Sequence, residues 1–525
     1  MTTNSYDEVP YASYPYPQTH PDRLATIATL LGLQPAGLSN CRVLELGCCS
    51  GGNLIPMACR MPGAEFVGID ASARQIADGQ AVVSQLGLTN IRLIHRDIME
   101  IGPADGLFDY IITHGVYSWV PPQVQDKILS VCHDNLSPHG VAYVSYNVLP
   151  GWRMRGIIRD IMLFRARCAK IPADRIDRAR SLVGFLARSV SQENNPYGLL
   201  LRKELDQLQG KDDAYLLHEY LEDHNEGLYF YQFMERAAGK GLQYLGEADF
   251  GSMSLQNMPE QVETVLQTVT NDVIELEQYK DFVRNRMFRQ TLLCHGDARI
   301  DRTVSPGRLG RLFVSSPVRP ESPIQDVATA DKVTFKGPTA VTTTTNPLMK
   351  MALMLLGERW PLSVQFSELL GMARSRLRPG PVVVGTQGMD GEGRRLAESM
   401  LQGYAMGQIH LSTLPSAFTL QAGPRPAVCP LARLQSTQGN MVTNLKHELV
   451  PLDELERNLL RQLDGQKTLP DIAAALTETV LAGELVIRDQ DQPVQDPQAI
   501  RQILSKLLEP SLASLAARAM ILSVP

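Results

Sequence analysis

A chain of 525 residues is too long for one hydrophobic core, and at about 100–200 residues per domain it should divide into about three or four units. Its 44% hydrophobic and 20% charged residues exclude wholesale disorder and collagen-like structure. Fifty Lys+Arg against fifty-six Asp+Glu leave a formal charge of −6, which argues against a generally basic, nucleic-acid-coating surface and leaves only a local patch open. No apolar run nears the roughly 18 residues that cross a bilayer. Met1–Glu8 has neither the basic nor the apolar part of a secretory signal. The eight cysteines are scattered without a C-x-x-C pair, so reduced thiols in a cytoplasmic enzyme are expected, with no disulfide scaffold and no metal site.

A Tyr/Pro-rich arm, Tyr11 to Pro21, precedes an apolar-periodic helix over 24–33. Short apolar runs then alternate with helical patterns. Strands are predicted at 42–46, 65–70, 91–95, 108–113 and 141–146. Helices are predicted at 51–60, from the second strand to about 86, and at about 123–135. That βαβα rhythm predicts an α/β fold, a doubly wound and mostly parallel sheet with helices on both faces. From 153 to about 300 the strand signals vanish, and helices are expected at 154–169, 172–190, 219–240 and 259–285. The arginines at 153, 155, 159, 165 and 167 read as a solvated helix face rather than a binding strip. Residues 301–346 look like irregular β structure or a connector. Amphipathic helices are expected within 347–377 and around 452–476, the second interrupted by an Asp464-Gly465 turn with Thr468 placed to cap the next helix. The expected division is therefore 1–165, an all-α middle domain over 166–300, and an α+β C-terminal domain of winged-helix character over 301–525, for substrate docking or dimerisation.

The informative stretch is Val43-Leu44-Glu45-Leu46-Gly47-Cys48-Cys49-Ser50-Gly51-Gly52-Asn53. An apolar strand enters a glycine turn that opens a helix, which lets a ligand approach the backbone near a helix N-terminus. Asp70, nineteen residues past Gly51, ends the second strand at the spacing of an acid that holds a ribose diol. A dinucleotide loop would read G-x-G-x-x-G and cradle a doubly charged pyrophosphate. Here Glu45 stands beside the loop, where it would repel pyrophosphate and attract an ammonium group. S-adenosylmethionine, with an ammonium at one end and a ribose diol at the other, suits these charges better than NAD.

With these motifs the first 165 or so residues resemble class I S-adenosylmethionine-dependent methyltransferases. The resemblance implies that Glu45, Gly47 and Gly51 hold the methionine part, Asp70 the ribose hydroxyls, and Asp97 with Ile98 the adenine edge. Tyr16, Cys48, Asn53, Ala71 and His114 complete the implied donor set. The arm Ser13–Pro21, the segments His114–Pro121 and Tyr146–Trp152, and His218-Glu219-Tyr220-Leu221 with Gly241-Leu242-Gln243-Tyr244-Leu245 are similar to one subgroup, which carries a methyltransferase regulatory domain. That subgroup is the bacterial protein-lysine methyltransferases acting on outer-membrane proteins. It implies a protein substrate and the demethylated product S-adenosylhomocysteine.

Methyl transfer to an amine needs alignment and loss of the amine's proton, which a reference pKa near 10.4 makes rare at neutral pH. An aromatic-walled slot with one or two acceptors would serve. Segments after the fourth and fifth strands supply His114, Tyr117, Asn147 and Trp152 as candidate catalytic residues. His218 and His224 are not spaced as a zinc pair, and a lid giving one polar group is the better reading of that region. Thr113-His114-Gly115-Val116 stands where methylases of planar amides carry N-P-P-Y, which disfavours adenine and glutamine as acceptors. Two other readings stay open: a small-molecule or carrier-bound acceptor, and a donor-sensing regulator with DNA-binding winged helices. The 225 or so C-terminal residues are also compatible with a homodimer.

Overall fold

The structure, a computed structural model, describes residues 9, 11, 13–255, 258–338, 340–378, 389–489 and 492–523; the Met1–Glu8 reading lies outside the described residues. Among them, seven strands form one sheet: β1 (Arg42–Leu46), β2 (Glu65–Asp70), β3 (Ile91–His95), β4 (Phe108–Thr113), β5 (Leu136–Asn147), β6 (Leu242–Glu247) and β7 (Phe288–His295). Their order is β3-β2-β1-β4-β5-β7-β6. β1 to β5 pair in parallel, and β7 joins β5 and β6 antiparallel. The expected doubly wound sheet is present.

The first five strands read as apolar runs because both faces are covered. Val43, Phe66, Tyr110 and Tyr143 point into one core, and their neighbours Leu44, Val67, Ile111 and Ala142 into another. The covering helices include α1 (Pro21–Leu30), α2 (Leu54–Arg60), α3 (Ala73–Leu86) and α4 (Pro122–Asp134). Gly87, at φ 64°, takes the left-handed position that ends α3.

The middle region departs from the all-α expectation. It opens with a helical unit of α5 (Trp152–Ala166), α6 (Pro172–Ser189), α7 (Pro196–Leu208) and α8 (Asp213–Tyr220) around its own core of Ile158, Val183, Leu201 and Leu216. The chain then returns to the sheet through α9 (Phe230–Ala238), β6, α10 (Val273–Arg284) and β7. The helix expected over 219–240 is in fact the end of α8, a loop, and α9. The arginine run also divides. Arg153, Arg165 and Arg167 are exposed, whereas Arg159 is buried and donates to the Glu222 and Asp223 carbonyls.

Beyond 300, short strands and the helices Pro347–Arg359, Phe366–Leu377 and Gly391–Ala405 enclose a separate core. The helix expected within 347–377 is Pro347–Arg359, followed after Trp360-Pro361, where proline lacks the N–H a helix needs, by a second one, Phe366–Leu377. The last unit holds α11 (Pro430–Gln438), α12 (Glu454–Gln462), α13 (Leu469–Leu481) and α14 (Pro497–Ala517), with a ribbon of Met441–Thr443 and Leu449–Pro451. Asp464-Gly465 separates α12 from α13, and Asp471 accepts the Thr468 N–H at 3.0 Å at the start of α13. Apolar residues of this unit, among them Val428, Leu459 and Ile521, share one continuous core with Leu24, Met57 and Phe66 of the first domain.

Candidate active site

The β1 tip and its glycine turn form one half of the site. Gly47 and Gly51 have φ of 73° and 75°, where a side chain is strained, and a Cβ on Gly47 would lie 2.5 Å from Val116 Cγ2. Glu45, 3% exposed, accepts from Asn53 Nδ2 through Oε1 at 2.7 Å. Its Oε2 is buried with no hydrogen-bond partner among the described residues. Burial pushes the Glu45 carboxyl up to about 8, with the Asn53 hydrogen bond opposing and the Asp70 charge adding to the rise. A buried carboxylate oxygen without a donor is a cost in the bare fold and a ready partner for a ligand's ammonium. This is the observation by which the residues present fit a methionine-type amino end.

Asp70 is tied into the same turn: Oδ2 accepts from Cys49 N at 2.9 Å and Oδ1 from Ser72 N at 2.8 Å. Asp97 and Ile98 lie just past β3; Asp97 is exposed and accepts from Met99 N at 2.9 Å. The Ala71 carbonyl meets His95 Nε2 at 3.1 Å. Cys48 is used inward. Its N–H donates to the Ile69 carbonyl at 3.0 Å, and its thiol packs where a Cβ on Gly68 would come within 2.7 Å.

The N-terminal arm straps over this half. Val9 O pairs with His218 Nε2 at 2.7 Å, Tyr11 O with Gln75 Nε2 at 3.1 Å, Ser13 Oγ with Gly52 N at 2.8 Å, and Tyr16 N with Asn53 Oδ1 at 3.0 Å. The Tyr16 ring lies 4.1 Å from that of His114. His114 Nδ1 is 2.9 Å from the Tyr143 hydroxyl, and burial lowers its pKa to about 4, so the ring is neutral.

On the β5 side, Trp152 Nε1 donates to Asn225 Oδ1 at 2.8 Å, and Asn147 Nδ2 lies 3.4 Å from the same oxygen. Asn225, in the loop after α8, had no sequence signal beyond being a polar residue in a short loop. Its Nδ2 is buried without a partner among the described residues. Glu219 on α8 lies close enough to Tyr11 and Tyr16 for its charge to disfavour ionisation of both phenols. Burial raises its own pKa against the pull of Arg155, whose guanidinium stacks 5.4 Å from the Trp152 ring. Tyr16 and His114 thus meet ring to ring, while Asn147 and Trp152 meet at the Asn225 amide.

Tyr117 is elsewhere. It is fully buried against Phe233 and Tyr146, with ring centroids at 5.2 and 5.9 Å, and so packs the core instead of lining an open slot. Its position just after β4 suggested the site; its apolar surroundings, from a helix over a hundred residues later, decide its place.

Comparison with known proteins agrees with this geometry. A methyltransferase domain model matches residues 43–140, a predicted methyltransferase regulatory domain 212–295, and the PKMT C-terminal winged helix domain 424–520. The chain is 37% identical over 529 residues to the uncharacterized protein RP789 of Rickettsia prowazekii, covering 99% of this chain and 94% of that one. It is 30% identical to PKMT2 from Rickettsia typhi, solved in complex with AdoHcy, at a TM-score of 0.86 over 98% of this chain and 100% of that one. With the glycine turn, the paired acids Glu45 and Asp70 and all three regions matched in order, the chain belongs to the family of S-adenosylmethionine-dependent methyltransferases that includes Rickettsia PKMT2.

Proposed function

We propose that the acceptor is the ε-amine of lysine side chains in a protein substrate. Glu45 and Asp70 bind the donor's ammonium and ribose, Asp97 and Ile98 its adenine, and the opening between His114, Asn147, Trp152 and Glu219 takes the lysine. The observation that carries the reading is Glu219, a half-buried carboxylate on α8 next to His218. The His218 ring lies 5.7 Å from that of Tyr11 and its Nε2 meets Val9 O at 2.7 Å, so Glu219 stands beside the arm over the donor turn. A lysine ammonium entering this opening loses water and meets one negative group. Burial and proximity favour passing its proton to Glu219, whose raised pKa makes it a better base than an exposed acid. The donor supplies one sulfonium-bound methyl. The freed nitrogen lone pair forms the new N–C bond as the C–S bond breaks, and the proton leaves through Glu219 to solvent. His114, neutral and held by Tyr143, can only accept or donate a hydrogen bond there, so it orients without adding charge. Likeness to PKMT2 along the whole chain supports the same reading. The motif resemblance extends it to an outer-membrane protein met in a bacterial cytoplasm.

A DNA-reading role for the C-terminal unit is disfavoured. The second helix of its α12–α13 pair carries Asp471 and Glu478 and no Lys or Arg. The test is incorporation of labelled methyl from the donor into lysate proteins, read by amino-acid analysis. Methyl-lysine in the labelled band is expected, and Glu219→Gln should lower kcat by about a hundredfold or more, with AdoHcy affinity unchanged. Label confined to small molecules, or a fully active Glu219→Gln enzyme, would overturn the assignment.

A further inference from the structure

The winged-helix unit reaches the donor turn through one side chain. His447, in the bend between Met441–Thr443 and Leu449–Pro451, is 1% exposed and has φ of 63°. That left-handed conformation is rare for a residue with a Cβ and persists where the surroundings enforce it. Its Nε2 lies 2.8 Å from Asn53 Oδ1, 394 residues away in sequence. The Tyr16 backbone N–H, which can only donate, meets Asn53 Oδ1 at 3.0 Å, so the NH2 of the Asn53 amide faces Glu45 Oε1 at 2.7 Å. Oδ1 is therefore the atom turned to His447, and Nε2 is the ring nitrogen that carries the proton.

The second ring behind it is complementary. His20 Nδ1 accepts from Asp22 N at 3.2 Å, which puts the His20 proton on Nε2. His20 Nε2, a donor, and His447 Nδ1, an acceptor, are both buried without partners among the described residues, on rings whose centroids are 5.2 Å apart. Asp22 in turn accepts from Thr413 N and Oγ1 at 2.7 and 2.6 Å. Hydrogen bonds thus link Thr413 through Asp22 to His20, and His447 through Asn53 to Glu45, with the two imidazole rings in contact between them.

We propose that His447 is a positioning residue for the methyl donor: its Nε2–H holds the Asn53 amide in the orientation that keeps Glu45 Oε2 free for the donor's ammonium. The winged-helix unit is then a structural part of the donor site. The inference rests on the assignment of Glu45 to the donor's amino end, so Glu45→Gln accompanies the test.

AdoHcy affinity and steady-state kinetics would be measured on the full chain. His447→Leu should weaken AdoHcy binding and raise the donor KM roughly five- to tenfold, the loss of about one hydrogen bond, with kcat at saturating donor unchanged. His447→Gln, whose Nε2 can replace the imidazole Nε2, should restore most of it. His447→Asn tolerates the left-handed backbone but is too short to reach Asn53, and should behave like Leu if the Leu variant does not fold. Weak binding by Glu45→Gln with normal binding by His447→Leu and His447→Asn overturns the His447 role and leaves Glu45 in place. Normal binding by all of them overturns both. Equal loss in the Leu and Gln variants, tracking a lowered melting midpoint, reduces His447 to packing and also overturns the proposal.

Discussion

A carboxyl buried with one oxygen unpartnered makes Glu45 sensitive to pH in a calculable direction. Below its raised value of about 8 the donor-free carboxyl holds its proton, and an ammonium ligand favours the ionised form. Binding therefore expels a proton, and AdoHcy affinity should climb as pH rises from about 6 to about 8, by at most about tenfold per pH unit, and then level. Calorimetry across that window checks it, and Glu45→Gln should flatten the slope. The sign for folding is opposite. A carboxyl whose folded value is raised stabilises the donor-free fold most below the ordinary carboxylate range, and that contribution fades as pH climbs through about 8. At this scale Glu45, Asn53 and Asp70 were legible as a group because they gather around one glycine turn. His447 and Asn225 were not, since each is a lone polar residue whose meaning comes from a partner far along the chain.

Buried charge explains why two elements were missed. The first five strands announce themselves as apolar runs, but β7 carries Arg289 and Gln290, and β6 ends on Glu247. Arg289 is fully buried and donates to Glu247 at 2.6 Å, Asp281 at 2.8 Å and Glu277 at 3.1 Å, with Lys280 also paired to Glu277. Glu247 lies on β6 and the other two acids on α10, so the cluster fastens helix and edge strands together. Sequence periodicity scores these residues as surface, whereas the fold neutralises them in place. Removing one partner leaves charges buried and uncompensated. Arg289→Met should cost about 3–5 kcal/mol in chemical denaturation. The same substitution should lower the protection of β6 amides before that of β1. A loss below about 1 kcal/mol would show that the cluster is not what holds the edge.

Across the whole molecule, the core joining Leu24 and Phe66 to Leu459 and Ile521 ties the first domain to the last. Separate modules on a linker would open independently; units sharing one apolar core lose it together. Native-state hydrogen exchange should therefore give β1 and α12 the same opening free energy, and AdoHcy should raise both by equal amounts. Unequal protection, with α12 opening first, would mean that the interface is weaker than its burial implies. The succession of sheet, helical region and winged-helix region was readable from motif order. This interface was not, because an apolar helix face looks the same whether it covers its own unit or a neighbour's.

The placement of β7 between β5 and β6 has a further consequence for how the polypeptide is made. A ribosome delivers the five parallel strands first, then some ninety residues of helices, and only afterwards the two strands that cap β5. Until residue 295 has emerged, the nascent sheet exposes the β5 margin, an invitation to pair with the wrong chain. Truncated products ending near residue 150 should accordingly aggregate, and the helical insertion that delays closure is also the segment whose His218 fastens the N-terminal arm.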